Sequence, residues 1–151
     1  MGNNLINENY IRLEQDIHSQ KELFELVAQL AIEQKIATNK AEIIVGLKQR
    51  EKESTTGFQD GFAIPHTQLD TIVHPSILVI TTKMELEWSS MDGQPARFFI
   101  ILLIPKDQAG STHIKALASV SKMLIHSENR EILKNSKNKE EIYQLLQDWI
   151  S

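Results

Sequence analysis

The chain has 151 residues, of which 41% are apolar and 24% charged, with a net charge of −4; these are the proportions of one globular domain that buries its own core. They exclude disorder, a collagen-like repeat and a coiled coil as whole-chain descriptions, and the scattered Lys and Arg leave no basic patch for nucleic acid. There is no cysteine, which excludes disulfides, zinc–thiolate centres and a Cys nucleophile.

Residues 1–9 are polar and Asn-rich, lack an apolar signal-peptide core and read as a flexible start to one domain spanning 1–151. Ile11 and Leu13 alternate with polar neighbours, a strand signal. Ser19 with Glu22, then Asn39 with Glu42, are capping pairs that open two helices. Leu23, Leu26, Val27, Leu30 and Ala31 give the first its apolar face, to about Ile36; Ile43, Ile44 and Leu47 give the second its face, to about Lys52.

Residues 54–57 are turn formers. Phe62, Ala63 and Ile64 form a short apolar stretch closed by Pro65. Residues 77–82 read as a strand, and Met84, Leu86 and Trp88 alternate with Glu85 and Glu87 as a second, half-buried one. After the Asp92-Gly93 turn, residues 98–104 are continuously apolar. That pattern predicts a central strand covered on both faces. The run is too short to span a bilayer, and the expected compartment is the cytoplasm, without membrane insertion.

Ser111 is placed to cap a helix whose inward face is Ile114, Leu117, Ala118, Ser121, Leu124 and Ile125. A short helix over 128–134 follows, and Asn138 with Glu141 open a last one, with Ile142, Leu145, Leu146, Trp149 and Ile150 inward. The expected fold is a single α/β domain with a mixed parallel and antiparallel sheet flanked by helices on both sides.

The chain has no Gly-rich phosphate loop, no His-Glu-x-x-His and no Gly-x-Ser-x-Gly. Its carboxylates fall at spacings expected of solvated helix faces. His18 and His74 lie near polar or turn residues, and His126 lies at a helix C-terminus, where it can serve the dipole. His66 differs, because it follows Ala63-Ile64-Pro65 directly. Proline cannot donate to a ladder, so the chain is expected to leave the sheet there and present His66 at a strand end, where α/β folds keep their sites. The alternative is a hydrogen-bonded loop histidine. His113 falls in the first turn after Ser111, where free amides favour an anion and disfavour a protonated imidazole; the alternative is a partly exposed histidine beside a cap. Neither histidine has a close ligand pair, so no metal is expected.

The segment Gln49-Arg50-Glu51-Lys52-Glu53-Ser54-Thr55-Thr56-Gly57-Phe58-Gln59-Asp60-Gly61-Phe62-Ala63-Ile64-Pro65-His66 resembles the active-site signature of enzyme IIA of the fructose/mannitol type, from the bacterial sugar phosphotransferase system. Met91-Asp92-Gly93-Gln94-Pro95 looks like that family's turn before its long apolar strand. His113-Ile114-Lys115-Ala116-Leu117-Ala118 looks like the helix carrying its second histidine. The likeness covers about residues 11–150.

The resemblance implies a phosphocarrier that takes a phosphoryl group from phospho-HPr and passes it to a IIB component, which passes it to a sugar. On this likeness His66 matches the phosphorylated histidine, His113 the auxiliary histidine and Arg50 an active-site arginine. Thr67 departs from the family, which has a small residue there; a β-branched residue would resist a positive φ. A phosphohistidine donor requires no metal, nucleotide or other cofactor. The IIB carrier of this type is a Cys, so IIB is expected on a separate chain, with membrane-embedded IIC. Two alternatives stand beside transport: a nitrogen-regulatory IIA that signals by its phosphorylation state, and a non-catalytic interaction module on the same fold.

Overall fold

The computed structural model describes residues 5–150. In chain order they form β1 (Ile11–Gln15), α1 (Gln20–Glu33), α2 (Lys40–Glu53), β2 (Phe62–Ala63), β3 (His66–Leu69), β4 (Ser76–Leu86), β5 (Ala96–Pro105), α3 (Ile114–Ile125), α4 (Ser127–Asn135) and α5 (Lys139–Ile150). The strands make one mixed sheet in the order β1-β4-β5-β2, with β3 also paired to β5. β4 and β5 are antiparallel; the other pairs are parallel.

Side-chain alternation along β4 and β5 sets the layers. Phe99, Ile101 and Leu103 join Leu78 and Ile80 in a core under α1 and α2. Phe98, Ile100, Leu102 and Ile104 join Ile77 and Val79 in a second core under α3 and α5. A period of two sends successive residues to opposite faces, so one apolar run serves both cores. The helices start where the capping pairs place them. The Glu22 amide donates to Ser19 Oγ at 3.1 Å, and the Glu42 amide to Asn39 Oδ1 at 3.1 Å.

Four expectations need correction. Residues 1–4 lie outside the described residues, but Leu5 and Ile6 of the expected flexible start are packed, since Ile6 is buried and Ile77 donates to the Leu5 carbonyl, and Glu8–Tyr10 forms a 3-10 turn in which Glu8 and Asn9 are exposed. The two strands expected over 77–88 are one strand, β4, with an irregular register between Thr81 and Leu86 and an exposed Met84. The chain does not leave the sheet at Pro65. The Pro65 carbonyl accepts from the Leu102 amide at 3.0 Å, and pairing resumes at once with His66 opposite Leu102. On an edge strand a proline removes one ladder bond and no more, so β2 and β3 are one strand with a break.

Finally, α3 is turned. Ala116, Val120, Met123 and Leu124 face inward, whereas Ile114 and Ile125 are each 63% exposed. The preceding Ala109–His113 is a π turn, and Ser111 makes no side-chain cap. Ile114 and Ile125, the first and last residues of α3, thus lie off the stripe that Ala116, Val120, Met123 and Leu124 bury against the sheet.

Thr67 does not need a positive φ, because it lies in β3 opposite Leu103. Its room comes from Gly46 of α2: a Cβ built there would stand 2.7 Å from Thr67 Oγ1 and 3.1 Å from Leu69 Cδ1. Gly46→Ala should therefore destabilise by roughly 1–3 kcal/mol through overpacking, despite the better helix propensity of alanine. Thr67→Ala removes the clash, so the double variant should recover at least about 1 kcal/mol over the sum of the single changes in urea denaturation. Additive effects would show that the two positions do not compete for space.

Candidate active site

Arg50, His66 and His113 come from three elements that meet at the break in the edge strand. Arg50 is in the last turn of α2, where a cation complements the helix dipole. His66 opens β3, and His113 ends the π turn before α3.

His66 is 6% exposed. Its Nδ1 lies 2.8 Å from the Ile64 carbonyl, and Arg50 Nε–H donates to its Nε2 at 3.1 Å. An arginine is only ever a donor, so Nε2 is the acceptor and the proton of the neutral ring sits on Nδ1, donated to Ile64. Burial, followed by the charges of Arg50 and His113, holds the His66 pKa down from 6.5 to about 4, although the Ile64 carbonyl opposes the shift. The ring is therefore neutral at physiological pH, with its lone pair on Nε2.

The His113 ring centroid is 5.1 Å from that of His66 at an interplanar angle of 43°. Burial first, and Arg50 second, lower its pKa as well. Its Nδ1 is buried without a hydrogen-bond partner among the described residues. Arg50 Nη1–H donates to the Ser54 carbonyl at 2.7 Å. Among the described residues no carboxylate forms an ion pair with Arg50. A cation without a counter-ion beside this pair of imidazoles attracts an anion, and a planar guanidinium suits phosphate oxygens.

The rings of His18 and His126 have partners elsewhere. His18 faces Asp16 at 3.3 Å and His126 stacks against Trp149 at 5.3 Å, while the His74 carbonyl accepts from Ser76 Oγ. No residue pattern marks the acceptors that surround the site, namely the Ser54 and Ile64 carbonyls and the carboxylate of Glu51. The spacing of Glu51, like that of the other acids, predicts a solvated helix residue. Its carboxylate instead accepts from the Thr56 amide and hydroxyl, each at 2.7 Å, from Thr55 Oγ1 at 3.1 Å and from Trp88 Nε1 at 3.2 Å. These partners lie 4, 5 and 37 positions away, where no periodic pattern could reveal them. Among the described residues no group of three or more His, Cys, Asp or Glu side chains could hold a metal ion.

The sequence model of the family described as "Phosphoenolpyruvate-dependent sugar phosphotransferase system, EIIA 2" matches residues 4–149. The "PTS system fructose-specific EIIA component" of Haloferax volcanii is 26% identical over 136 residues, 90% of this chain and 88% of that protein. The crystal structure of "Nitrogen Regulatory Protein IIA-Ntr" from Neisseria meningitidis superposes with a TM-score of 0.87 at 27% identity, covering 94% of this chain and 96% of that one. A complex of enzyme IIAMTL and phosphorylated enzyme IIBMTL from Escherichia coli matches with a TM-score of 0.78 at 16% identity, covering 94% and 98%, which is a likeness of fold alone. Some relatives are much longer: the chain spans 12% of the fructose-specific EIIABC component of Mycoplasma pneumoniae and 15% of that of Bacillus subtilis.

The neutral ring couples stability to pH. Between about 4 and 6.5 the unfolded chain binds a proton at His66 that the folded chain does not. Stability from this residue is thus fully present above 6.5 and lost as the pH falls towards 4, an effect of roughly 3 kcal/mol. In urea titrations at several pH values, the difference between wild type and His66→Asn should shrink by about that amount across this window. A difference independent of pH would mean that His66 titrates like a free imidazole.

Proposed function

The chain belongs to the phosphoenolpyruvate-dependent sugar phosphotransferase system EIIA 2 family, and on that premise we propose that it is a histidine phosphocarrier with His66 Nε2 as the acceptor. The observation that carries this reading is the neutral, Nδ1-protonated ring of His66, its lone pair directed at the unpaired cation of Arg50.

The donor is a phosphohistidine of HPr. The Nε2 lone pair forms the new P–N bond as the P–N bond to the donor imidazole breaks, and the donor ring leaves with that electron pair. The positive charge that would build on the His66 ring is eased by the Ile64 carbonyl, which accepts from Nδ1–H. Arg50 releases Nε2 as the phosphorus approaches and turns its N–H groups to the equatorial oxygens, where the charge is spread. The unpartnered Nδ1 of His113 offers one more polar contact there. No step needs a metal or a cofactor. The group then passes to a Cys of a IIB component, which works with membrane-embedded IIC in sugar uptake. The mannitol IIA–IIB complex supports this order of partners, since it has the same fold. The proposal places the chain in the cytoplasm as one domain; among the described residues no helix is long and apolar enough to cross a membrane.

A second reading keeps the chemistry and changes the output. The likeness to the nitrogen regulatory protein, closer in structure and in sequence than that to mannitol IIA, favours a carrier whose phosphorylation state is itself the signal. Delivery of the group to a IIB Cys separates the two.

With enzyme I, HPr and phosphoenolpyruvate, wild type should gain the mass of one phosphoryl group and His66→Ala should gain nothing. Arg50→Ala should accept the group on the order of a hundred- to thousandfold more slowly, the loss typical of one preorganised donor. Arg50→Lys should recover part of that, because an ammonium cannot present a planar fork. His113→Gln should still accept but pass the group on more slowly. Rapid quench of each half-reaction measures both. Wild-type labelling of His66→Ala, or undiminished acceptance by Arg50→Ala, would overturn the assignment.

A further inference from the structure

Both working groups of the site are held by the same short segment, residues 54–57. Arg50 is anchored on the Ser54 carbonyl at 2.7 Å. His66 is anchored on Ile64, whose own amide donates to the Thr56 carbonyl at 3.0 Å. The segment leans on the chain at Ser89, whose carbonyl accepts from Thr55 Oγ1 at 2.5 Å. Gly57 passes so close that a Cβ there would lie 1.9 Å from the Ser89 carbonyl oxygen. What fixes Thr56 against α2 is Glu51. One carboxylate oxygen takes the Thr56 amide, with Thr55 Oγ1 and Trp88 Nε1 beside it, and the other takes the Thr56 hydroxyl. Among the described residues Glu51 forms no ion pair. Its acceptor capacity is spent on this segment and on the indole of Trp88, a ring packed against Phe24 and Phe99 in the core.

We propose that Glu51 is the positioning residue of the site: through Thr56 it sets the reach of Arg50 to His66 and keeps the Ile64 carbonyl on His66 Nδ1. This rests on the reading of His66 as phosphoryl acceptor. Glu51 touches neither the reacting nitrogen nor the transferred group. It acts by geometry, and geometry at a reacting centre is costly to lose: a misplacement of about 1 Å can slow a reaction on the order of a hundredfold.

Placement and charge are separated by two substitutions. Glu51→Gln is neutral but keeps the shape. Its carbonyl oxygen can accept from the Thr56 amide and Trp88, while its NH2 donates to the Thr56 hydroxyl, which can act as acceptor. Glu51→Ala leaves those donors without a partner. Phosphoryl uptake from phospho-HPr is measured at saturating donor and as a function of donor concentration, beside nitrogen–proton spectra of the His66 ring and the Trp88 indole.

Glu51→Ala should lower the saturating rate by about ten- to a hundredfold with a much smaller change in apparent KM, and should lose the protected His66 Nδ1–H signal. Glu51→Gln should recover most of the rate and the signal. A wild-type rate in Glu51→Ala would overturn the proposal. So would a Glu51→Gln variant as slow as Glu51→Ala, since charge and not placement would then matter. If Glu51→Ala does not fold, Thr56→Val, which removes one of the two Thr56 contacts, decides: a smaller loss of rate is expected, and none would overturn it. If wild type itself takes no phosphoryl group, the proposed function falls, yet the ring signals still decide on Glu51. Their retention in Glu51→Ala would overturn it, and their loss would support it.

Discussion

The hydrogen bond from His66 Nδ1 to the Ile64 carbonyl is the constraint on which the site depends. An imidazole has two nitrogens, and a neutral one gives a proton to one and a lone pair to the other. Tying down Nδ1–H two residues back along the chain leaves Nε2 as the only acceptor. That bond exists because Ile64 lies on an edge strand, where groups directed away from β5 need partners of their own. The Ile64 amide finds Thr56, and the Ile64 carbonyl finds His66. Buried in the sheet interior, the same carbonyl would belong to a neighbouring strand and the ring would be free to choose its tautomer.

The remaining parts bring charge to that nitrogen without neutralising it. The last turn of α2 directs Arg50 at His66 and not at an acid, although Glu51 and Glu53 are close in sequence. Glu51 is turned the other way, onto Thr56 and Trp88. Opposite it, the π turn brings His113 against His66 before α3 begins. Further out, Asp60 anchors the approach to β2. It receives Lys134 at 2.6 Å and Arg130 at 3.0 Å, and Lys134 foremost holds its carboxyl below the usual range. Arg130 also donates to the Leu124 and Ile125 carbonyls, so one guanidinium joins the end of α3 to the segment that leads to the edge strand. Asp60 sits at a φ of 60°, a conformation Asp tolerates better than most residues.

What could be read without the structure follows from the range of the interactions. Capping at Ser19 and Asn39, the apolar faces of α1, α2 and α5, and the doubly covered strand β5 are local or periodic, so the order of residues carries them. The fold class follows from those elements alone. The candidates Arg50, His66 and His113 were also legible, the histidines by position and all three through family likeness. Where local rules failed, a distant partner had the larger say. Pro65 reads as an exit from the sheet until β5 is seen to accept it as an edge. The apolar face of α3 reads as including Ile114 and Ile125 until packing against the sheet selects Ala116, Val120, Met123 and Leu124. Thr67 reads as a misfit until Gly46 is found beside it.

The sequence by itself determined an α/β fold whose central strand is covered on both faces and marked His66 and His113 as polar candidates, because these depend on periodicity, residue type and position in the chain; Arg50 entered only through family likeness. Only the tertiary structure decided which nitrogen of His66 carries the lone pair, that Arg50 has no counter-ion among the described residues, and that Glu51 binds Thr56 and Trp88 where its spacing predicts solvent. Each of these is settled by contacts between segments that no local pattern ties together. Hydrogen bonds and charge pairing depend on distance and direction in space, and the chain acquires both only when α2, the edge strand and the turn before α3 pack against one sheet.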